Sequence, residues 1–128
     1  MKKELEKQLV VKYPFLLKDY GGDARKTCMA WGLAFSDGWF DLFDKMCEEL
    51  SAFDTIYFAQ CKEKFGGLRT YIEGTTEENQ DQVHEIIDKY GSISIKTCEA
   101  CGQPGKQRSG NWRITLCNDC NEKANENE

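Results

Sequence analysis

The chain has 128 residues, with 17 Lys and Arg against 22 Asp and Glu, seven Cys and a single His, a size that holds one compact domain or a small core with an appended module. An apolar fraction of 40% with three Trp, five Tyr and seven Phe supports a packed core and excludes wholesale disorder. The longest uncharged run, the ten residues Thr27 to Ser36, is half of the ~20 apolar residues of a membrane span, and the net charge of −5 argues against indiscriminate coating of nucleic acid.

In chain order, MKKELEKQLVV lacks a sustained apolar stretch and a small-residue cleavage site, so a cytoplasmic location is expected. Seven Cys in that reducing compartment point to metal binding or free thiols rather than to a disulfide framework. Leu5, Leu9 and Val10 recur at helical spacing until Pro14, which predicts an amphipathic first helix. Gly21-Gly22 beside Asp23 marks a break, and the apolar segment Cys28 to Phe35 fits neither period. Ser36 or Asp37 then caps a second helix with Trp39, Phe40, Phe43, Met46, Cys47 and Leu50 on one stripe.

From Thr55 the residues favour strands, Thr55 to Lys62 and Arg69 to Glu73, flanking Gly66-Gly67 as the turn of a hairpin. Arg69 and Tyr71 share one face of the second strand, Thr70 and Ile72 the other, core-facing one. Thr75 with Glu78 offers a capping box for a third helix carrying Val83, Ile86, Ile87 and Tyr90, with Gly91 as its stop. The expected class is α+β: a small antiparallel sheet or hairpin packed by amphipathic helices over residues 1–92, a metal module over 93–123, and a frayed tail at 124–128.

The strongest chemical signal is Cys98-Glu-Ala-Cys101-Gly followed, after 15 residues, by Cys117-Asn-Asp-Cys120. Each C-x2-C turn aims two thiolates at one point, and two such turns complete the four-sulfur shell that Zn2+ prefers, in a zinc ribbon or a treble clef. Four thiolates leave no open coordination position, so the expected ion is structural. The same segment carries Lys96, Lys106, Arg108, Arg113 and Lys123 against three carboxylates. Lys106, Arg108, Trp112 and Arg113 are the candidate contacts of an alternative function, a zinc-ribbon regulator that binds nucleic acid.

A second candidate site is Lys62-Glu-Lys64-Phe65-Gly66-Gly67-Leu68-Arg69-Thr-Tyr71. Gly66 and Gly67 expose backbone N–H groups, Lys64 and Arg69 add cationic donors, and Trp39 or Tyr71 supplies an aromatic wall, which together suit an anionic small molecule of nucleotide type. Asp37, Asp41, Asp44 and Glu48 line one helix face, as a divalent-cation site or a solvated surface. Cys28, Cys47 and Cys61 sit among apolar neighbours and are expected to be buried and unreactive. His84 lies in a Glu-rich helix; the cysteine module has no histidine to activate water, which argues against a nuclease of the His-metal type, and with no P-loop, serine nucleophile elbow or HExxH pair in the sequence no enzyme is expected.

The blocks Lys12-Tyr13-Pro14-Phe15, Ser36-Asp-Gly-Trp39-Phe40, Lys62 to Arg69 and the paired cysteine knuckles resemble a family of small proteins of unassigned function encoded by phages and prophages. The resemblance spans most of the chain; members tend to read Cys-Gly-Asp-Gly-Trp where this chain has Phe35-Ser36-Asp37-Gly38-Trp39. It implies a phage or prophage origin and no particular activity. For a small acidic chain of that origin without a catalytic constellation, the expected function is that of a non-enzymatic accessory protein acting by binding. It would antagonise bacterial antiviral defence by sequestering a nucleotide-type signal or by occluding a host defence protein, with no membrane association.

Overall fold

The computed structural model describes residues 1–109 and 113–126. Helix α1 (Lys3–Lys12) ends before Pro14, and the Tyr13 N–H closes it on Leu9 O at 2.8 Å. Its inner face holds Leu9 and the buried carboxylate of Glu6, which accepts the Leu33 N–H at 3.0 Å and the Tyr20 hydroxyl. The segment without clear periodicity divides into a 3-10 turn, Cys28–Trp31, and a short strand β1 (Leu33–Ala34). Met29 points inward from that turn, while Cys28 and Trp31 face solvent. Cys28 is therefore exposed, against expectation; Cys47 and Cys61 are buried as expected.

A second 3-10 turn, Asp37–Trp39, leads into α2 (Phe40–Leu50). The predicted stripe is the centre of the core: Trp39, Phe43, Met46, Cys47 and Leu50 are fully buried, and Phe43 lies 5.2 Å from Phe35 and 5.4 Å from Phe58, ring centre to ring centre. Burial of each such side chain contributes roughly 1.5 to 3 kcal/mol. On the opposite face, Asp37 accepts the Lys2 backbone N–H at 2.7 Å, and Asp44 accepts the Tyr13 hydroxyl at 2.6 Å and Lys12 Nζ at 3.0 Å. The carboxylate row is thus partly a seam between α1 and α2, and its members do not converge on a common point.

Strands β2 (Tyr57–Lys64) and β3 (Gly67–Glu73) form an antiparallel hairpin, and β1 adds to β2 in parallel, giving the order β1-β2-β3. The turn sits one residue earlier than predicted. Phe65 and Gly66 form it, with φ of 54° and 85°, the positive values that a two-residue primed turn needs. Gly67 is the first strand residue, and a Cβ there would meet Ile95 Cγ2 at 3.2 Å. Thr70 and Ile72 face inward, Thr70 towards Met46 and Ile72 against the core, while Arg69 and Tyr71 are exposed.

Helix α3 (Gln80–Ser94) begins after a reciprocal pair, Thr76 N–H to Asn79 Oδ1 and Asn79 N–H to Thr76 Oγ1, one residue beyond the predicted capping box. It runs through Gly91, which therefore does not stop it; the expected boundary at 92/93 falls inside this helix. Past α3 come a hairpin, β4 (Lys106–Arg108) and β5 (Ile114–Leu116), and helix α4 (Asn118–Glu126). Residues 124–126 belong to α4 rather than to a frayed tail, and residues 127 and 128 lie outside the described residues. The class is α+β, as predicted, and no helix among the described residues is long and apolar enough to cross a membrane.

Two variants probe this framework. A Cβ at Gly38 would lie 2.3 Å from Cys98 O and 2.4 Å from Glu99 O, so Gly38→Ala forces apart the core and the cysteine module and is expected to cost about 1 to 3 kcal/mol, read as a lowered melting temperature. For Asp44, burial raises the carboxyl pKa, but hydrogen bonds from Tyr13 and Lys12 outweigh it and hold the pKa below its usual value. Such a group adds stability above its unfolded pKa and loses that stability as pH falls through its folded one. Tyr13→Phe is therefore expected to flatten the loss of stability below about pH 4 in urea-unfolding series.

Candidate functional site

The four module cysteines converge. Their Sγ atoms all lie within 4.8 Å of one another, with Cys101 Sγ and Cys117 Sγ 3.6 Å apart. A tetrahedral ion with ~2.3 Å metal–sulfur bonds spaces its sulfurs by about 3.8 Å, so the donor set fits a closed four-thiolate site. Cys98 and Cys101 come from the knuckle that Gly102, at φ 83°, folds back; Cys117 and Cys120 bracket the first turn of α4, where Cys117 Sγ also accepts the Cys120 N–H at 3.4 Å. Knuckle, hairpin and helix in that order make the treble-clef arrangement of the two alternatives.

The thiols are electrostatically unequal. Burial raises the Cys98 pKa, but backbone N–H groups of Cys117, Cys101 and Ala100 outweigh it and bring the pKa down to about 7. Cys120 is pushed up to about 12, first by its hydrogen bond with Cys117 and then by burial and the other thiols. Without a cation one thiolate is favoured and further ones are opposed; a cation removes that opposition.

The module is fixed to the core by backbone groups. The Gly38 N–H donates to Glu99 O at 2.7 Å, the Ser36 N–H to Glu99 Oε2 at 3.0 Å and Trp39 Nε1 to Thr97 O at 2.9 Å. At the hairpin turn, Gln107 Nε2 donates to Phe65 O at 2.9 Å and Thr115 Oγ1 to Gly66 O at 2.6 Å.

These contacts revise the second candidate site. Trp39 is fully buried and its indole N–H is occupied, so it is core and not an aromatic wall. Gly66 and Gly67 are buried, and the Gly66 N–H is taken by Glu63 Oε1 at 2.7 Å. The glycines serve the turn and its docking on the module, and the Gly66 N–H is not free for an anion. Lys64, Arg69 and Tyr71 do come together, along a groove of about 750 Å3 between β3 and α3 whose lining also includes His84, Asp88 and Arg113. The four ion pairs among the described residues, Lys2–Asp37, Lys12–Asp44, Arg25–Asp23 and Lys89–Glu49, leave these cations out.

Sequence reasoning missed the α3 wall of the groove, and placed Arg113 on a nucleic-acid surface. A helix face at His84, Ile87, Asp88 and Gly91, spaced i, i+3, i+4 and i+7, was the available signal. Of the other finger residues, Arg108 turns back on its own module, donating to Leu116 O at 3.0 Å and Asn118 Oδ1 at 2.8 Å; Trp112 lies outside the described residues. Comparison with known proteins finds no match: no family model, no curated protein and no solved structure is significantly similar to the chain.

Protein purified under reducing conditions without chelator is expected to carry one metal ion per chain. Cys117→Ser is expected to lose that ion in elemental analysis and to unfold at a lower temperature than the parent.

Proposed function

We propose that this chain is a non-catalytic accessory protein that acts by binding, that its four-cysteine site holds a structural Zn2+, and that its working site is the groove between β3 and α3. The observation that carries the reading is the gathering of Lys64, Arg69 and Arg113 from the end of β2, from β3 and from the hairpin of the cysteine module around one concave surface, in a chain whose net charge is −5. Cations concentrated against an acidic background select an anionic ligand, and a volume in the usual range of ligand sites gives it room. The four-thiolate donor set is the reason for zinc, since soft thiolates in a tetrahedral arrangement favour it over Mg2+ or Ca2+.

For a chain of the phage or prophage origin that the resemblance implies, the setting of this activity is antagonism of antiviral defence in the cytoplasm of an infected or lysogenic cell. Sequestration of a nucleotide-type signal and occlusion of a host protein both use an anion-binding groove. Nucleic-acid binding is the weaker reading, because Arg108 is engaged within its own module and a phosphate backbone needs a continuous cationic track.

The test uses ATP as a polyanionic probe on the metal-loaded protein, followed by calorimetry or amide shifts. Binding is expected to weaken about ten- to a hundredfold in Arg69→Ala, with the melting temperature unchanged because Arg69 is exposed and outside the ion pairs. No ATP binding by the wild type refutes the nucleotide-type ligand, and ATP binding indifferent to Arg69 refutes the anion site.

A further inference from the structure

The groove is bounded on one side by a sheet edge. β3 is the outer strand of its sheet, and in an antiparallel ladder alternate residues turn their N–H and C=O towards the neighbour and away from it. Lys64 and Gly67 close the turn as a bonded pair, so Leu68 and Thr70 present their backbone outward. Two hydrogen bonds fix this phase. The Leu68 N–H leaves the sheet and donates to Ser94 Oγ at 2.8 Å. Phe58, opposite Ile72 across a bulge, donates its N–H away from β3 to Leu16 O at 2.9 Å, so Ile72 also presents its backbone to the open side.

Ser94 therefore caps one position of the edge, and the next two, Thr70 and Ile72, are open. Among the described residues no hydrogen bond reaches their backbone from outside the sheet. Beside this edge α3 contributes His84, Ile87, Asp88 and Gly91 to the groove. At Gly91 the helix lies beside the edge with space for no more than a small side chain's contact: a Cβ there would meet Leu68 O at 3.6 Å.

We propose that the anionic ligand of this groove is an extended segment of a partner protein, which adds to β3 as an antiparallel strand and carries carboxylates at its C-terminal end. This rests on the reading of the groove as an anion site. The polarity follows from geometry. β3 runs away from its turn, so an antiparallel segment runs towards it, and its C-terminal end arrives where Lys64 and Arg113 flank the turn and Arg69 begins the exposed strand face. Antiparallel addition is the more stable pairing. Main-chain hydrogen bonds to Thr70 and Ile72 supply affinity without regard to sequence, and the cations select the charge. Alternate side chains of the segment face α3 beside Ile87 and Gly91, where apolar residues fit.

The probe is an acetylated peptide of alternating threonine and valine that ends in two aspartates with a free C-terminal carboxylate, titrated into the full metal-loaded chain. Shifts are expected at the amides of Thr70 and Ile72 and along α3. Replacing the aspartates by asparagine and amidating the terminus is expected to weaken binding at least about tenfold, as is Arg69→Ala. N-methylation of the peptide residues that pair with Thr70 and Ile72 is expected to abolish binding, while N-methylation of the intervening residues leaves it intact. Equal effects of the two N-methyl series overturn strand addition. If ATP binds through Arg69 and the peptide does not bind, the anion site stands and the strand-adding partner is refuted; if neither binds, both fall.

Discussion

The structure depends on the close approach of the Cys98–Glu99 backbone to Gly38. At that point the cysteine module meets the core main chain to main chain, with the Gly38 N–H on Glu99 O at 2.7 Å and no room for a side chain between them. Glu99 acts twice there, since its carboxylate also takes the Ser36 N–H, and Trp39, the residue after Gly38, reaches past it to Thr97 O. One tripeptide of the core, Asp37-Gly38-Trp39, thereby opens α2, fills the core and seats the module. The burial of Glu99 raises its carboxyl pKa, burial outweighing the hydrogen bond from Ser36, which is the cost of placing a charge at this junction.

From that anchor the module extends to the β2–β3 turn, where Gln107 and Thr115 hold the carbonyls of Phe65 and Gly66. The thiolate cluster, the turn and the groove are thus mechanically linked. A metal ion bound by the four cysteines would hold the knuckle and α4 together, and with them β4 and β5 against the turn and Arg113 in the lining of the groove. Ser94 makes the matching link from the other side, since its hydroxyl joins the end of α3 to the first outward-facing backbone group of β3.

An acidic chain builds a cationic groove here by position rather than by composition. Two acidic side chains pair with lysines across seams between helices, Asp44 with Lys12 and Glu49 with Lys89. Lys64, Arg69 and Arg113 remain outside those pairs, and among the described residues Asp88 is the one acidic member of the groove's lining. The acidic remainder of the surface repels other anions and sharpens the contrast that the groove presents.

By itself the sequence determined the features that local spacing and local chemistry dictate. Hydrophobic period located α1 and α2, because a stripe at 3.6 residues has few other solutions, and strand-favouring residues on either side of a Gly-Gly pair located the β2–β3 hairpin. The C-x2-C pairs located the four-cysteine cluster, because two residues between thiols constrain their direction within a single turn. The alternation of β3 placed Arg69 and Tyr71 on one exposed face. Only the tertiary structure decided the rest. Gly91 looked like a helix stop, yet the helix continues through it to bring Ser94 to Leu68. Trp39 looked available to a ligand, and burial beneath the module made it core. Gly66 and Gly67 suggested an anion nest, but Glu63 and the module occupy that turn, and β1 has only two residues, too few to register as a strand before β2 lies beside it. In each case the deciding partner lies more than two residues away in sequence, from three for Glu63 and Gly66 to 58 for Trp39 and Thr97. Propensity and spacing carry no information about such contacts; packing and hydrogen-bond satisfaction choose them once the chain has folded.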